Sequence, residues 1–147
     1  MSLKEDVAFV RAGLRVKARI RGLKADAPLN LADALEASVD RFADRIAIRF
    51  EDETLTYAAF DGRANRYARW ALERGFGPGD VVALFMENRP DYLCVWYGLA
   101  KVGVATALVN SQLGGRSLAH CVGVAAARAA IVDGPLWSAF AEARPLL

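Results

Sequence analysis

The sequence predicts an α/β fold, in which a parallel βαβαβ sheet with flanking helices follows a β-hairpin. The main observation is a set of three short apolar runs, separated by segments with helical periodicity, at residues 81–86, 104–109 and 129–132. Spacing of this kind is typical of parallel strands joined by right-handed crossovers. The second observation is composition. The 147 residues are 54% hydrophobic and 24% charged, which fits one globular domain and excludes disordered, collagen-like and coiled-coil chains.

Charge divides the chain into a basic N-terminal arm, residues 1–27, and an α/β subdomain, residues 28–147. Residues 1–24 hold seven basic and two acidic side chains, a net charge of +5, whereas the rest of the chain carries −3. Four apolar residues of the arm recur at helical spacing: Leu3, Val7, Val10 and Leu14. Residues 3–22 are therefore predicted to form an amphipathic helix. Such a helix either packs on the subdomain or lies on an anionic membrane surface, and both alternatives stay open.

The subdomain is predicted to begin with a helix and a hairpin. Asn30 is suited to cap the helix LADALEASVDRF. The expected buried stripe of that helix consists of Leu31, Leu35, Val39 and Phe42. The alternating segment 46–50 then turns through 51–53 into 54–57, which predicts two antiparallel strands although the turn contains no Gly or Asn.

A long helix is predicted next, over about residues 57–73. Thr56 is placed to cap its start, and Gly75 suits the position just beyond its end. Its expected buried stripe consists of Phe60, Ala64, Tyr67 and Ala71.

Three more helices are predicted between and after the apolar runs. Pro90 suits the first position of a helix that runs towards Gly103. A second, short helix is expected at 117–125, and a closing helix at 135–143.

Two glycine-containing segments are candidates for phosphate-binding loops. The segment 75–80 (GFGPGD) runs from a helix into a strand, the reverse of what an anion-binding loop needs, and is predicted to be a structural turn. The segment 113–117 (LGGRS) follows a strand and opens a helix. Its candidate anion-binding residues are Gly114, Gly115, Arg116 and Ser117. The alternative is a plain turn with Ser117 as N-cap.

Catalytic and metal-binding patterns are not recognised in the sequence, so no residue is predicted to be catalytic or to bind a metal. His120, the single histidine, is adjacent to Cys121 in a predicted helix, where their side chains point about 100° apart rather than towards each other. Cys94 and Cys121 lie in apolar stretches without zinc-site spacing, and both are expected to be reduced core thiols. No pair of carboxylates suggests acid–base catalysis. The aromatic residues Phe85, Tyr92, Trp96 and Tyr97 lie in a segment that is not basic, which disfavours nucleic acid as a partner. No apolar run approaches the roughly 20 residues of a membrane-spanning helix.

Several segments, read in order, resemble the start of the adenylate-forming acyl-CoA synthetases. LTYAAFDGRANRYARWAL (55–72) is similar to the first core motif of that superfamily, and GPGDVVALFMENRPDYLCVWYGLAKVGVATALVN (77–110) to the next block. ALVNSQLGGRSLAHCV (107–122) is similar to the fatty acid transport protein branch, the very-long-chain acyl-CoA synthetases. The similarity spans about residues 30–133, and the usual Glu-Leu of the first motif is not present here, where Phe60 is followed by Asp61.

The resemblance implies a two-step reaction. Fatty acid and ATP, with Mg²⁺, would give an acyl-adenylate and pyrophosphate, and coenzyme A would then displace AMP. The sequence ends at Leu147, before the expected position of the phosphate loop, so no catalytic residue is carried over. The expectation is an N-terminal subdomain that is inactive alone, partnered by the remainder of the polypeptide and prone to self-association. Its expected location is cytoplasmic, with peripheral contact to the inner face of the membrane allowed. From the residues alone, a flavodoxin-like anion-binding module and a membrane adaptor acting through residues 3–22 remain alternatives.

Overall fold

The computed structural model describes residue 11 and residues 13–18 and 30–147. Residues 11 and 13–18 are helical, as predicted for this stretch, with Leu14 and Val16 61% and 58% exposed. The rest of the predicted helix at 3–22, and most of the arm at 1–27, lie outside the described residues.

The described subdomain alternates helices and strands. In chain order they are α1 (Leu31–Phe42), β1 (Ile46–Phe50), β2 (Glu53–Thr56), α2 (Tyr57–Glu73), β3 (Val81–Phe85), α3 (Pro90–Lys101), β4 (Ala105–Val109), α4 (Gly115–Val124), β5 (Ala129–Val132) and α5 (Trp137–Ala143). Short 3₁₀ turns flank α5 at Gly134–Leu136 and Arg144–Leu146.

The strands form the two sheets that the sequence predicts. β1 and β2 pair antiparallel as the hairpin, and Glu51 in their turn takes a positive φ of 49° in place of the usual Gly or Asn. β3 pairs in parallel with β4 on one side and β5 on the other, giving the order β4-β3-β5. The predicted α/β class, the parallel βαβαβ arrangement and the hairpin are confirmed.

β3 is the centre of the core because both of its faces are covered. Val82 and Leu84 face a layer that includes Val95 and Leu99 of α3 and Ala71 of α2. Ala83 and Phe85 face the opposite layer, formed by α4 and α5 with Leu118, Ala119, Val122 and Phe140. The alternating direction of side chains along a strand produces this division, and it explains why the run is apolar throughout.

The start of α1 is fixed by a reciprocal capping box. The Asn30 side chain accepts a hydrogen bond from the Asp33 N–H (3.0 Å), and the Asp33 carboxylate accepts one from the Asn30 N–H (3.2 Å). The predicted cap is therefore confirmed. The predicted buried stripe is wrong at its first residue, because Leu31 is 47% exposed and Ala32 is the buried residue at this end.

Both ends of α2 follow the predicted local signals. The Thr56 hydroxyl accepts a hydrogen bond from the Ala59 N–H, and Gly75 takes a φ of +72° just past the last turn. Phe60, Ala64 and Ala71 are buried and Tyr67 is half-buried, which confirms the predicted stripe.

Gly98 allows α2 and α3 to pack in close contact. A Cβ at this position would collide with the backbone carbonyl oxygen of Ala64 and lie 2.9 Å from the Cβ of Tyr67. Next to this contact, the rings of Phe60 and Tyr97 stack with centroids 5.2 Å apart. The α2–α3 pair is thereby a tightly packed layer against the sheet.

Candidate functional site

The carboxyl edge of the parallel sheet is the place where this fold can form a site. β3 continues into α3 on one face of the sheet, whereas β4 and β5 continue into helices on the other face. Where neighbouring strands diverge in this way, a crevice opens beyond their carboxyl ends. A cavity of about 280 Å³ lies there, between the ends of β3 and β4, and is lined by Met86, Asn88, Tyr92, Leu108, Val109, Asn110 and Ser111.

On the β5 side of this edge, an ion pair joins Arg89, which follows β3, to Asp133, which follows β5. The Arg89 Nη1 lies 3.1 Å and 3.3 Å from the two carboxylate oxygens of Asp133. Asp133 is only 8% exposed, and its N–H donates to the Phe85 carbonyl, which extends the β3–β5 pairing by one residue. Because a buried carboxylate needs compensating donors, Arg89 makes the burial of Asp133 possible.

The predicted anion-binding segment 113–117 lies at the same edge, after β4. Gly114 is the N-cap of α4 and Gly115 takes a φ of +49°, while Arg116 and Ser117 are exposed. The alternative reading of Ser117 as N-cap is wrong, because Ser117 lies inside the first turn and no side chain caps this helix. Asn110 stabilises the preceding turn, its side-chain oxygen accepting from the Gln112 N–H. The four residues are thus adjacent at a helix start, and anion binding there stays a prediction.

The two cysteines have different environments. Cys94 is fully buried in α3, and burial raises the pKa of its thiol to about 12. Cys121 is exposed, so the expectation of a core thiol is wrong at this position, where the apolar face of α4 is provided by Leu118, Ala119 and Val122 instead. His120 beside it is also exposed. This pair lies on the outer surface of α4 and not in the crevice.

The segment 75–80 is a structural turn, as predicted. The Asp80 carboxylate accepts a hydrogen bond from the Gly77 N–H (2.9 Å) and pairs with Arg128 (2.6 Å). The hydrogen bond from Arg128, followed by that from Gly77, lowers the pKa of Asp80. The turn is held by its own side chain and leads from α2 into the sheet.

Sequence reasoning missed a charged cluster at the junction of three helices. The Lys101 Nζ lies 2.7 Å from Asp61 and 3.0 Å from Glu36, and 5.0 Å from the centre of the Tyr97 ring. Burial disfavours the charged ammonium, but the hydrogen bonds to Asp61 and Glu36 outweigh it and raise the pKa of Lys101. No local signal in the sequence could have found it, since Lys101 and Asp61 are 40 positions apart.

Neither a metal site nor a membrane-spanning helix is found in the described part of the chain. Across residues 11, 13–18 and 30–147, no three His, Cys, Asp or Glu side chains lie together as a metal site. Within the same ranges, no helix has the length and apolarity needed to cross a bilayer.

Comparison with known proteins gives a consistent family. The AMP-binding enzyme family matches residues 35–146. Long-chain fatty acid transport protein 1 of Rattus norvegicus is 47% identical over 87 residues, covering 59% of this chain and 14% of that protein. The human protein of the same name is 40% identical over 109 residues, 73% of this chain and 17% of its own length. The medium/long-chain-fatty-acid–CoA ligase FadD6 of Mycobacterium tuberculosis is 37% identical over 102 residues, 69% of this chain and 17% of the ligase.

Solved structures show the same fold. A benzoate CoA ligase from Burkholderia xenovorans superposes with a TM-score of 0.76 at 23% identity, covering 81% of this chain and 24% of that one. The N-terminal subdomain of Klebsiella oxytoca NpsA superposes with a TM-score of 0.67 at 27% identity, covering 70% of this chain and 27% of that one. The expected architecture, that of an N-terminal subdomain of the adenylate-forming enzymes, is confirmed.

These matches do not favour the flavodoxin-like module or the membrane adaptor. The chain spans 14 to 17% of the length of the three relatives described above. The match to the family covers most of residues 30–147, the same part of the chain that folds into the hairpin, the three-stranded sheet and their helices. The chain belongs to the AMP-binding enzyme family.

Proposed function

We propose that this chain forms the N-terminal α/β subdomain of an ATP-dependent fatty acid–CoA ligase. The observation that carries the proposal is the family match over residues 35–146, together with relatives named as fatty acid transport proteins and as a fatty acid–CoA ligase. The fatty acid, rather than an aromatic acid, is favoured by the sequence relatives, since the aromatic-acid ligase in the structural comparison is only 23% identical.

The proposed reaction has two steps. The carboxylate of the fatty acid attacks the α-phosphorus of ATP, which gives an acyl-adenylate and releases pyrophosphate. The thiol of coenzyme A then attacks the acyl carbon, which forms the thioester and releases AMP. Mg²⁺ would neutralise phosphate charge in the first step. No described residues of this chain are grouped to hold that metal.

The part of this chain in the ligase is proposed to be structural. The carboxyl edge of the sheet offers an open crevice, and the α2–α3 layer behind it is rigidly packed through Gly98. A fixed layer behind an open edge is suited to form one wall of a larger binding site. No catalytic residue is assigned within the chain, and the 147 residues alone are expected to be inactive.

The proposed location is cytoplasmic, at the inner face of the membrane. The support is the sequence of residues 1–24, whose net charge of +5 would be attracted to anionic headgroups. Deletion of these residues should weaken co-sedimentation with vesicles of anionic lipid and leave the behaviour with neutral vesicles unchanged.

The experiment that tests the proposed function is a chimera. Residues 30–147 of this chain replace the matching segment of FadD6, which is 37% identical over 102 residues. The chimera is assayed for fatty acid-dependent exchange between ATP and pyrophosphate and for acyl-CoA formation. We expect both activities, and we expect neither from the 147-residue chain alone.

Two controls make the result interpretable. The parent ligase shows that the assay works, and a chimera carrying Gly98→Leu shows that activity depends on the packing of this subdomain. A chimera that folds cooperatively but lacks fatty acid-dependent exchange would overturn the proposal. Turnover by the isolated chain would overturn the structural role assigned to it.

A further inference from the structure

A second cavity, the hairpin groove, lies between the hairpin and the start of α3. Its volume is about 310 Å³, and its lining is mostly apolar, formed by Ile48, Phe50, Pro90, Tyr92 and Leu93. Phe50 and Leu93 keep 38% and 39% of their surface exposed, so the apolar wall is open to the outside. An open apolar wall of this kind is suited to receive apolar side chains of another segment.

The two arginines in the lining leave the hairpin groove apolar. Arg89 is paired with Asp133, at 3.1 Å. Arg49 lies between Ile48 and Phe50 on β1, and because side chains alternate along a strand it is directed to the other face of the hairpin. Neither arginine is therefore placed to hold an anion in the groove, which favours an apolar partner.

One side of the hairpin groove is acidic. An adjoining cavity of about 400 Å³ shares four residues with the groove and is also lined by Glu51, Asp52, Glu53 and Glu87. Glu53 is neutralised by Arg63, at 2.7 Å. The other three carboxylates are exposed and form no ion pair with any residue that the structure describes. The groove and its rim thus fit an apolar segment that carries basic residues along one flank.

The N-terminal arm has this pattern in its sequence. The apolar residues of the helix predicted at 3–22 form one stripe. Lys4, Arg11 and Arg15 each follow a stripe residue by one position, so on that helix they lie along one flank of the stripe. At the described end of the stripe, Leu14 is helical and 61% exposed, so the described part of the subdomain does not cover it.

The arm joins the subdomain beside the hairpin groove. Ala32, at the start of α1, belongs to one apolar cluster with Leu55 and Cys94, and Ile48 of the groove packs against that cluster. Residues 19–29 connect the described part of the arm to α1 and span up to about 36 Å when fully extended. A tether this short holds the arm at a high effective concentration next to the groove, which favours docking within the chain.

We propose that residues 3–14 of the arm dock in the hairpin groove of the same chain. The apolar stripe lies against the apolar wall, and the basic flank lies beside Glu51, Asp52 and Glu87. The docked arm uses the same side chains that would contact an anionic membrane, so the groove and the membrane compete for it. This docking does not depend on the proposed ligase reaction.

Docking is tested on the 147-residue chain with a spin label on the arm. The label is attached through Ser2→Cys in a Cys121→Ser background, where the buried Cys94 stays unmodified. We expect paramagnetic broadening of the amide NMR signals of residues 48–50 and 88–93. A label on the native Cys121, on the helix that covers the opposite face of the sheet from α3, is the positional control and should leave these signals sharp.

Substitutions on both partners separate the contact from effects on folding. Leu93→Asp in the groove and Val7→Asp in the arm should each weaken docking by about tenfold or more, since each places a charge where an apolar side chain is buried. Val7→Asp does so without changing any residue of the subdomain. Ala12→Asp adds the same charge on the opposite side of the predicted helix and should have little effect.

The acidic rim is tested by charge reversal. Glu87→Lys should weaken docking by up to about fivefold, the effect of losing an exposed ion pair. Glu142→Lys, at an exposed position on α5, changes the net charge equally and should leave the broadening unchanged. Equal effects of the two reversals would show that overall charge, and not the rim, attracts the arm.

The competition is tested with vesicles made of equal parts of phosphatidylglycerol and phosphatidylcholine. Leu93→Asp should increase co-sedimentation relative to the native chain, because it releases the arm. Deletion of residues 1–24 should cancel the increase. Equal co-sedimentation of the native and Leu93→Asp chains would contradict a groove that holds the arm.

The remaining outcomes assign the arm to another site. Broadening centred on other apolar surface, such as Val124 and Trp137, would overturn docking in the groove, as would broadening that neither Leu93→Asp nor Val7→Asp reduces. Broadening of an isotope-labelled chain by a separate spin-labelled chain would show docking between two copies instead. An active FadD6 chimera without the expected broadening overturns the docking alone, whereas an inactive chimera with broadening centred on the groove overturns the ligase function alone.

Discussion

Arg89 and Asp133 join the residues that follow two neighbouring parallel strands. They are 44 residues apart in sequence, and Arg89 Nη1 lies 3.1 Å from Asp133 Oδ1. The Asp133 side chain is almost fully buried, with 9% of its surface exposed, whereas the Arg89 side chain is half exposed, at 45%. The pair therefore lets a buried carboxylate be neutralised by a cation that still reaches solvent.

Removal of Arg89 is expected to destabilise the fold. Arg89→Met leaves Asp133 buried without its cation and should lower the free energy of unfolding by about 1–2 kcal/mol, measured by urea denaturation. A double-mutant cycle with Asp133→Asn is the control, and it should show a smaller loss when both charges are absent. Additive effects of the two substitutions would show that the pair is not coupled.

Lys101 is expected to hold three helices together. Lys101→Met removes the ion pairs with Asp61 and Glu36 and should cost about 1–3 kcal/mol of unfolding free energy, because Asp61 is largely buried and loses its cation. Glu36→Gln should cost less than about 1 kcal/mol, since the Glu36 side chain is 51% exposed. Chemical denaturation of both variants tests this order, and a greater loss for Glu36→Gln contradicts it.

Two glycines within helices should respond in opposite directions to the same substitution. Gly98→Ala should destabilise the chain by about 1–3 kcal/mol, because the added Cβ meets the backbone of α2. Gly62→Ala has nothing within 4 Å of the added Cβ and should stabilise α2 by up to about 1 kcal/mol through helix propensity. Thermal and urea unfolding of the pair provide the measurement. Equal effects would show that α2 and α3 are not in close contact.

The buried thiol of Cys94 should make stability fall at high pH. Its pKa in the folded chain is raised by burial from 9.0 to about 12, so the folded state resists ionisation that the unfolded state permits. The contribution is present below about pH 9 and is lost as the pH rises towards 12. Unfolding free energy measured from pH 7 to 11 should therefore fall more steeply for the native sequence than for Cys94→Ala. Parallel curves would contradict this assignment.

The thiols of Cys94 and Cys121 are expected to differ in their reactivity towards alkylating reagents. In the folded chain an alkylating reagent should modify the exposed Cys121 and leave Cys94 unmodified until the chain unfolds. Mass spectrometry of digested samples gives the result for each site. Equal labelling of both in the absence of denaturant would show that α3 is not packed as described.

Local signals in the sequence predicted most of the fold. The caps at Asn30 and Thr56 and the left-handed Gly75 depend on backbone geometry within a few residues, so they can be inferred from neighbouring residues. The apolar run at β3 likewise requires only that both faces of the strand be covered.

What the sequence did not reveal depends on the three-dimensional arrangement. The Arg89–Asp133 and Lys101–Asp61 pairs join residues 44 and 40 positions apart, and no periodicity relates them. The sequence also did not determine which side of α4 faces the core. Neighbouring positions differ in burial there, since Cys121 is exposed and Val122 is buried. The start of α4 at Gly115, with Gly114 as its N-cap, depends on an uncommon φ at Gly115 that the glycine residue type permits but does not require.

The most direct test of the proposed function is the rate of fatty acid-dependent ATP–pyrophosphate exchange by the FadD6 chimera that carries residues 30–147. We expect exchange that requires the fatty acid and lies within about a hundredfold of the parent ligase, the loss that a small misplacement of reacting groups can cause. A cooperatively folded chimera with no fatty acid-dependent exchange, measured beside an active parent, would contradict the assignment of this chain to a fatty acid–CoA ligase.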